Sequence, residues 1–194
     1  VRANGAFYML AEKGDGASVL RSSDGQHWMV CCSTNQHLQA ASLTALADTL
    51  LMTDKDQTSS LYRYDESTQS VVLWQSLGTV QCQALLGAGY SKVSLLGQEQ
   101  GSRKLYVADG RTLQSQELPT SAFPVQGAAR MSWKKRSLYL IGGEDATGNR
   151  LQSCMASENG LYWVNLVKSA SYAFPVCTNA TAFMLEDEVF LMGG

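Results

Sequence analysis

Short apolar runs recur along the chain at near-constant spacing, separated by polar stretches rich in Gly, Asp and Gln. The clearest is Leu138-Tyr139-Leu140-Ile141, closed by Gly142-Gly143. Similar runs are Phe7-Tyr8-Met9-Leu10, Leu50-Leu51-Met52, Val93-Ser94-Leu95-Leu96 and Val189-Phe190-Leu191-Met192. They start at residues 7, 50, 93, 138 and 189, in steps of 43, 43, 45 and 51 residues. A second run follows each of the first four: Ser18-Val19-Leu20, Ser60-Leu61-Tyr62, Lys104-Leu105-Tyr106 and Ser153-Cys154-Met155. Two copies align without a gap, SVLRSSDGQHW from Ser18 to Trp28 and SCMASENGLYW from Ser153 to Trp163.

Polar loops at 12–17, 54–59, 97–103 and 144–150 separate the two runs. A further strand-like run precedes each anchor, at 42–47, 84–88, 128–133 and 181–185. Another closes each unit, at 26–31, 70–74, 113–118 and 161–167. Each repeat therefore reads as four short strands in meander order. No run sustains a 3.6-residue apolar period. Residues 38–52, LQAASLTALADTLLM, have helical propensity, but the repeat phase assigns them to two strands with a turn near Asp48.

A period of about 40 to 50 residues is that of a propeller blade. The expected fold is all-β, a β-propeller of four-stranded antiparallel blades with about four repeats and the start of a fifth. The blades fall at 1–36, 37–79, 80–122, 123–173 and, incomplete, 174–194. Stacking such blades buries both faces of each sheet, which explains inner runs without polar alternation. Gly25 and Gly160 follow Asp and Asn in turns that favour positive φ. Gly142 and Gly143 mark a place where a Cβ would clash. The tail supplies a second strand that the start of the chain already has. That mismatch predicts a larger ring, completed by blades beyond these residues or by another chain. The chain begins at Val1 without Met or a visible signal-peptide pattern, and reads as a processed or truncated piece.

At blade level the whole chain resembles kelch-type β-propellers. The residues that carry this are Leu138 to Gly143 with Trp163, Val189 to Gly194, and Ser60-Leu61-Tyr62-Arg63-Tyr64-Asp65 with Trp74. Only two of the five repeats keep the double Gly. Ser22 to Trp28 resembles instead the S-x-D-x-G-x-x-W turn of sialidase-like propellers, one residue short. The hybrid is similar to secreted propellers of uncharacterised bacterial proteins, including those of Bacteroides-type bacteria. This resemblance implies a non-catalytic binding or scaffold propeller in the periplasm or at the cell surface, with a protein or glycan ligand. Two other readings stay open. One is a carbohydrate-active enzyme of galactose-oxidase or sialidase type with its site in further blades. The other is an intracellular kelch adaptor for a protein partner.

Composition narrows the chemistry. The chain is 45% hydrophobic and 16% charged, with a net charge of −2. That balance gives no electrostatic reason to expect nucleic acid. No run approaches the ~20 apolar residues of a membrane span. The five cysteines, Cys31, Cys32, Cys82, Cys154 and Cys177, contain no C-x-x-C; most read as buried thiols in strands, with one disulfide left open should the protein be secreted. His27 and His37 are the only histidines; His27 stands where the matching repeat has Tyr162, and His37 lies in a linker. No metal, cofactor or catalytic constellation is expected. Arg21, Arg63, Arg130 and Arg150 have blade phases that do not converge on one end of an axis. Trp28, Trp163 and Trp74 are expected in blade packing. Trp133, beside Lys134-Lys135-Arg136, is the aromatic best placed to stack on a ligand. The polar loops share one phase, so a ligand is expected on the propeller face they form.

Overall fold

A computed structural model describes residues 1–89, 91–133, 137–167, 175–185 and 188–194. It contains four antiparallel four-stranded sheets and a two-stranded fifth. The first sheet holds β1 (Arg2–Ala3), β2 (Ala6–Lys13), β3 (Gly16–Ser22) and β4 (Met29–Thr34). The second holds β5 (Thr44–Leu46), β6 (Thr49–Thr53), β7 (Ser60–Asp65) and β8 (Ser70–Ser76). The third holds β9 (Gln81–Gly89), β10 (Lys92–Glu99), β11 (Ser102–Ala108) and β12 (Leu113–Glu117). The fourth holds β13 (Ala129–Trp133), β14 (Ser137–Ile141), β15 (Cys154–Ser157) and β16 (Val164–Asn165), and the fifth β17 (Thr181–Leu185) and β18 (Glu188–Met192). Every sheet runs in meander order. Successive sheets touch through their first strands, β5 on β9, β9 on β13 and β13 on β17. Four blades thus stand in a ring with a partial fifth, first strands innermost.

The cores lie between blades, and strand alternation builds them. Leu50 and Met52 of β6 pack with Tyr8, Leu10 and Val19 of the first sheet. Leu51, between them, packs the opposite way against Leu85, Val93 and Leu95 of the third. On β10, Leu95 joins that cluster while Leu96 joins Leu138, Leu140, Met155 and Trp163 of the fourth. Side chains alternate across a strand, so a strand sandwiched between two blades must be apolar on both faces.

Residues 38–52 form a short 3₁₀ turn at Ala40–Ser42, then β5 and β6 around a turn where Ala47 has φ 52°. The polar loops differ more from expectation. Those at 12–17 and 97–103 shrink to tight hairpins, because the ladders continue to Lys13↔Gly16 and Glu99↔Ser102. Those at 54–59 and 144–150 are true loops, tied back to the inter-blade linkers by Leu38↔Asp54 and Gln126↔Glu144 bridges.

Candidate functional site

The two matching Trp segments fold alike. They are loops between the third and fourth strands of their blades rather than two-residue turns. Ser22 Oγ accepts the Gly25 N–H at 2.8 Å, as Ser157 Oγ accepts that of Gly160 at 2.9 Å. Asp24 Oδ1 accepts the N–H groups of Gln26 and His27 at 2.8 Å. Asn159 Oδ1 does the same for Leu161 at 3.0 Å and Tyr162 at 2.9 Å. Each indole then donates to the glycine carbonyl, Trp28 at 3.2 Å and Trp163 at 3.0 Å. Gly25 and Gly160 have φ of 79° and 78°. These bonds close a structural loop.

The glycine pair and Trp74 also go into architecture. Gly142 and Gly143 have φ of 65° and 89° and lie against backbone: a Cβ would sit 2.4 Å from the Cys177 carbonyl oxygen and 2.8 Å from that of Gln126. Trp74 on β8 packs into the core between the second and third blades, over Gly110. His27 is exposed with Nδ1 2.7 Å from Asp24, and His37 contacts Asp56. Among the described residues no group of three or more His, Cys, Asp and Glu could hold a metal ion. All five cysteines are free; Cys32, Cys82 and Cys177 are buried, and Cys177 lies outside any strand. Burial pushes the Cys82 thiol up to about 12. The backbone of Trp133 ends β13, but its side chain and residues 134–136 lie outside the described residues.

The strands that converge on the axis make a different site. A cavity of about 360 Å³ opens at the end of the ring that carries the 54–59 and 144–150 loops. Its floor is apolar, from Leu85, Leu86 and Leu140, and its walls carry the amides of Gln39, Gln83 and Asn179. Six segments supply it: the linker into β5, strand β9, the linker into β13, Arg130 of β13, Leu140 of β14, and the linker into β17. Gln126 at its rim donates to Glu144 at 2.7 Å, and Gln83 donates to Gln98 at 2.6 Å. A second cavity of about 340 Å³, lined by Arg2, Thr44 and Ser132 among others, lies toward the opposite end of the first strands.

Arg130 lines both cavities and stands between them. Its Nη1 donates to the Leu85 carbonyl on β9 and its Nη2 to the Ala41 carbonyl before β5. The guanidinium therefore braces three blades at the axis. Burial among them lowers its pKa from the ordinary arginine value, and it stays protonated. The side chain also keeps an exposed surface. Sequence reasoning did not single it out as an axial residue, although a signal existed. Arg130 pairs with Leu140 across β13–β14, as Leu85 pairs with Leu95 across β9–β10. Leu95 and Leu140 hold the same place in their repeats, so Arg130 occupies a leucine position of the sister blade.

Antiparallel four-stranded blades set around an axial cavity define a β-propeller domain. Over residues 1–194 the chain matches the family model described as the DUF6242 beta propeller domain, and it belongs to that family. No curated protein matches it. No helix among the described residues is long and apolar enough to cross a membrane.

Proposed function

We propose that this protein is a non-catalytic binding or scaffold propeller, kelch-like and bacterial, that works outside the cytoplasm. It takes a protein or glycan ligand at the axial mouth beside the 54–59 and 144–150 loops. The observation that carries this reading is the 360 Å³ axial cavity, with amides above an apolar floor. Small-ligand sites are concave and mainly apolar, with a few polar groups to fix orientation. Sugars suit such a lining, since they offer hydroxyls to amides and C–H faces to apolar side chains.

The test is a panel of bacterial and plant oligosaccharides presented to the wild-type chain and to Gln83→Ala and Asn179→Ala. Both changes sit on the cavity wall and outside the blade cores. Binding by the wild type, weakened in both variants, supports the reading. Hydrolysis or oxidation of a bound oligosaccharide would overturn its non-catalytic part. Binding unaffected by either variant would move the site elsewhere.

A further inference from the structure

Charge at the axis is one-sided. The two axial cavities share Arg130, and Arg2 lines the second. No Asp or Glu lines either cavity among the described residues. No carboxylate among the described residues pairs with Arg130 or Arg2; the four ion pairs present involve other residues. Arg2 instead lies over the Phe7 ring, 5.8 Å from its centroid. Two carboxylates that bond the cavity-lining linkers are already engaged. Glu144 accepts from Gln126 at 2.7 Å and Glu12 accepts from the Ala40 N–H at 2.7 Å.

A guanidinium has five N–H donors in a fixed fork. Arg130 directs one Nη toward Leu85 and the other toward Ala41, so the fork is held in place and donors remain for the cavities. The Arg130 cation keeps an exposed surface and has no carboxylate paired with it among the described residues, so its unused donors are open to an anionic ligand. An oxyanion in the cavity supplies the missing charge and accepts the free donors, with little reorganisation of the braced side chain.

We infer that the axial cavity binds an oxyanion, the carboxylate or sulfate group of its ligand, through the Arg130 guanidinium. This rests on the cavity being the binding site and adds the ligand's chemical class: an acidic saccharide rather than a neutral one. Arg130 holds the anionic group while the wall amides meet the hydroxyls beyond it.

Two measurements test it. The first follows the Arg130 Nε–H signal of the wild-type chain by NMR, assigned with Arg130→Lys. Sodium acetate and sodium sulfate are titrated separately against sodium chloride at equal ionic strength. A saturable shift with acetate, sulfate or both, absent with chloride, is expected, and the stronger anion identifies the source of the oxyanion. No saturable shift with either anion overturns the inference. The second compares an oligogalacturonate, a sulfated galactose oligomer and a neutral galactose oligomer by calorimetry. At least one acidic ligand should bind at least about tenfold more tightly than the neutral one, and less tightly as salt rises. Arg130→Gln should abolish that preference, and Arg130→Lys should restore part of it. Equal affinity for acidic and neutral oligomers, or an unchanged preference in a folded Arg130→Gln chain, overturns the inference. A saturable Nε–H shift with no saccharide bound at all leaves the oxyanion site standing and refutes the glycan reading. Should Arg130→Gln not fold, the wild-type NMR titration still decides.

Discussion

Gly25 and Gly160 have the same φ, the same serine cap and the same indole donor, but different surroundings. A Cβ on Gly25 would meet nothing within 4 Å. One on Gly160 would lie 2.8 Å from Ser94 Cβ and 3.1 Å from Val107 Cγ2, on the neighbouring blade. Ser94 Oγ also donates to the Gly160 carbonyl at 2.6 Å. Gly25→Ala should therefore cost only the backbone strain, about 1 kcal/mol. Gly160→Ala adds overpacking at an inter-blade contact and should cost roughly 2–4 kcal/mol. Urea midpoints of the two variants check the order; equal losses would refute the role of the blade contact. Acid sensitivity is also set by single residues. Asp109 is held down to about 2, first by the Thr112 N–H, and Asp145 to about 2, first by the Thr147 hydroxyl. Both carboxyls titrate lower when folded than the ~3.9 of an unfolded aspartate. Their contribution is full above pH ~4 and is lost as pH falls toward 2. Asp109→Asn should flatten the decline of melting temperature between pH 4 and 2, and an unchanged slope would remove Asp109 from the account.

At the scale of the element, what could be read from the sequence depended on whether a signal repeats. The inner strands were legible because their period of two shows on both faces: Leu50, Leu51 and Met52 are all buried, in two different cores. The Ser-to-Trp loops were legible because two copies align residue for residue. The 38–52 stretch was legible only through phase, since its helical propensity yields to strand pairing with β7 and to the β5–β6 turn. The extents of β2 and β10 were not legible. Gly97 suggested a loop but lies within β10, where a Cβ would come 2.6 Å from Val80 and 2.8 Å from the Tyr106 ring. It is a packing glycine, and composition does not separate that from a turn glycine. The axial cavity was legible as a face and not as residues. Its walls come from inter-blade linkers that share no motif, and Arg130 differs from its sister leucine only once blades are registered.

The whole molecule shows what a neighbouring blade does to the same pattern. Trp163 is 4% exposed because the third blade covers it, whereas Trp28, in the matching loop of the first blade, is 36% exposed. Met9 is 43% exposed, while Leu95 and Leu140, at the same place in their repeats, are 0% and 1%. The uncovered face of the first sheet thus carries Phe7, Met9 and Val30 toward the side where a preceding blade would stand. The fifth sheet is likewise open: Leu185, Val189, Leu191 and Met192 are exposed, and among the described residues β18 pairs only with β17. Contiguous apolar surface of this kind is seldom left bare in a soluble monomer, and a free edge recruits other strands. We expect both faces to be covered in a larger ring, by further blades or by another chain. Residues 1–194 on their own should then bind a hydrophobic dye and associate as concentration rises. Met9→Lys combined with Leu191→Lys should reduce both effects while leaving the β-sheet circular dichroism unchanged, since neither side chain belongs to an inter-blade core. Light scattering across a concentration series reads the outcome. A chain that stays monomeric and dye-free before any substitution would mean that its two end sheets cover each other in solution, and the larger ring would fall.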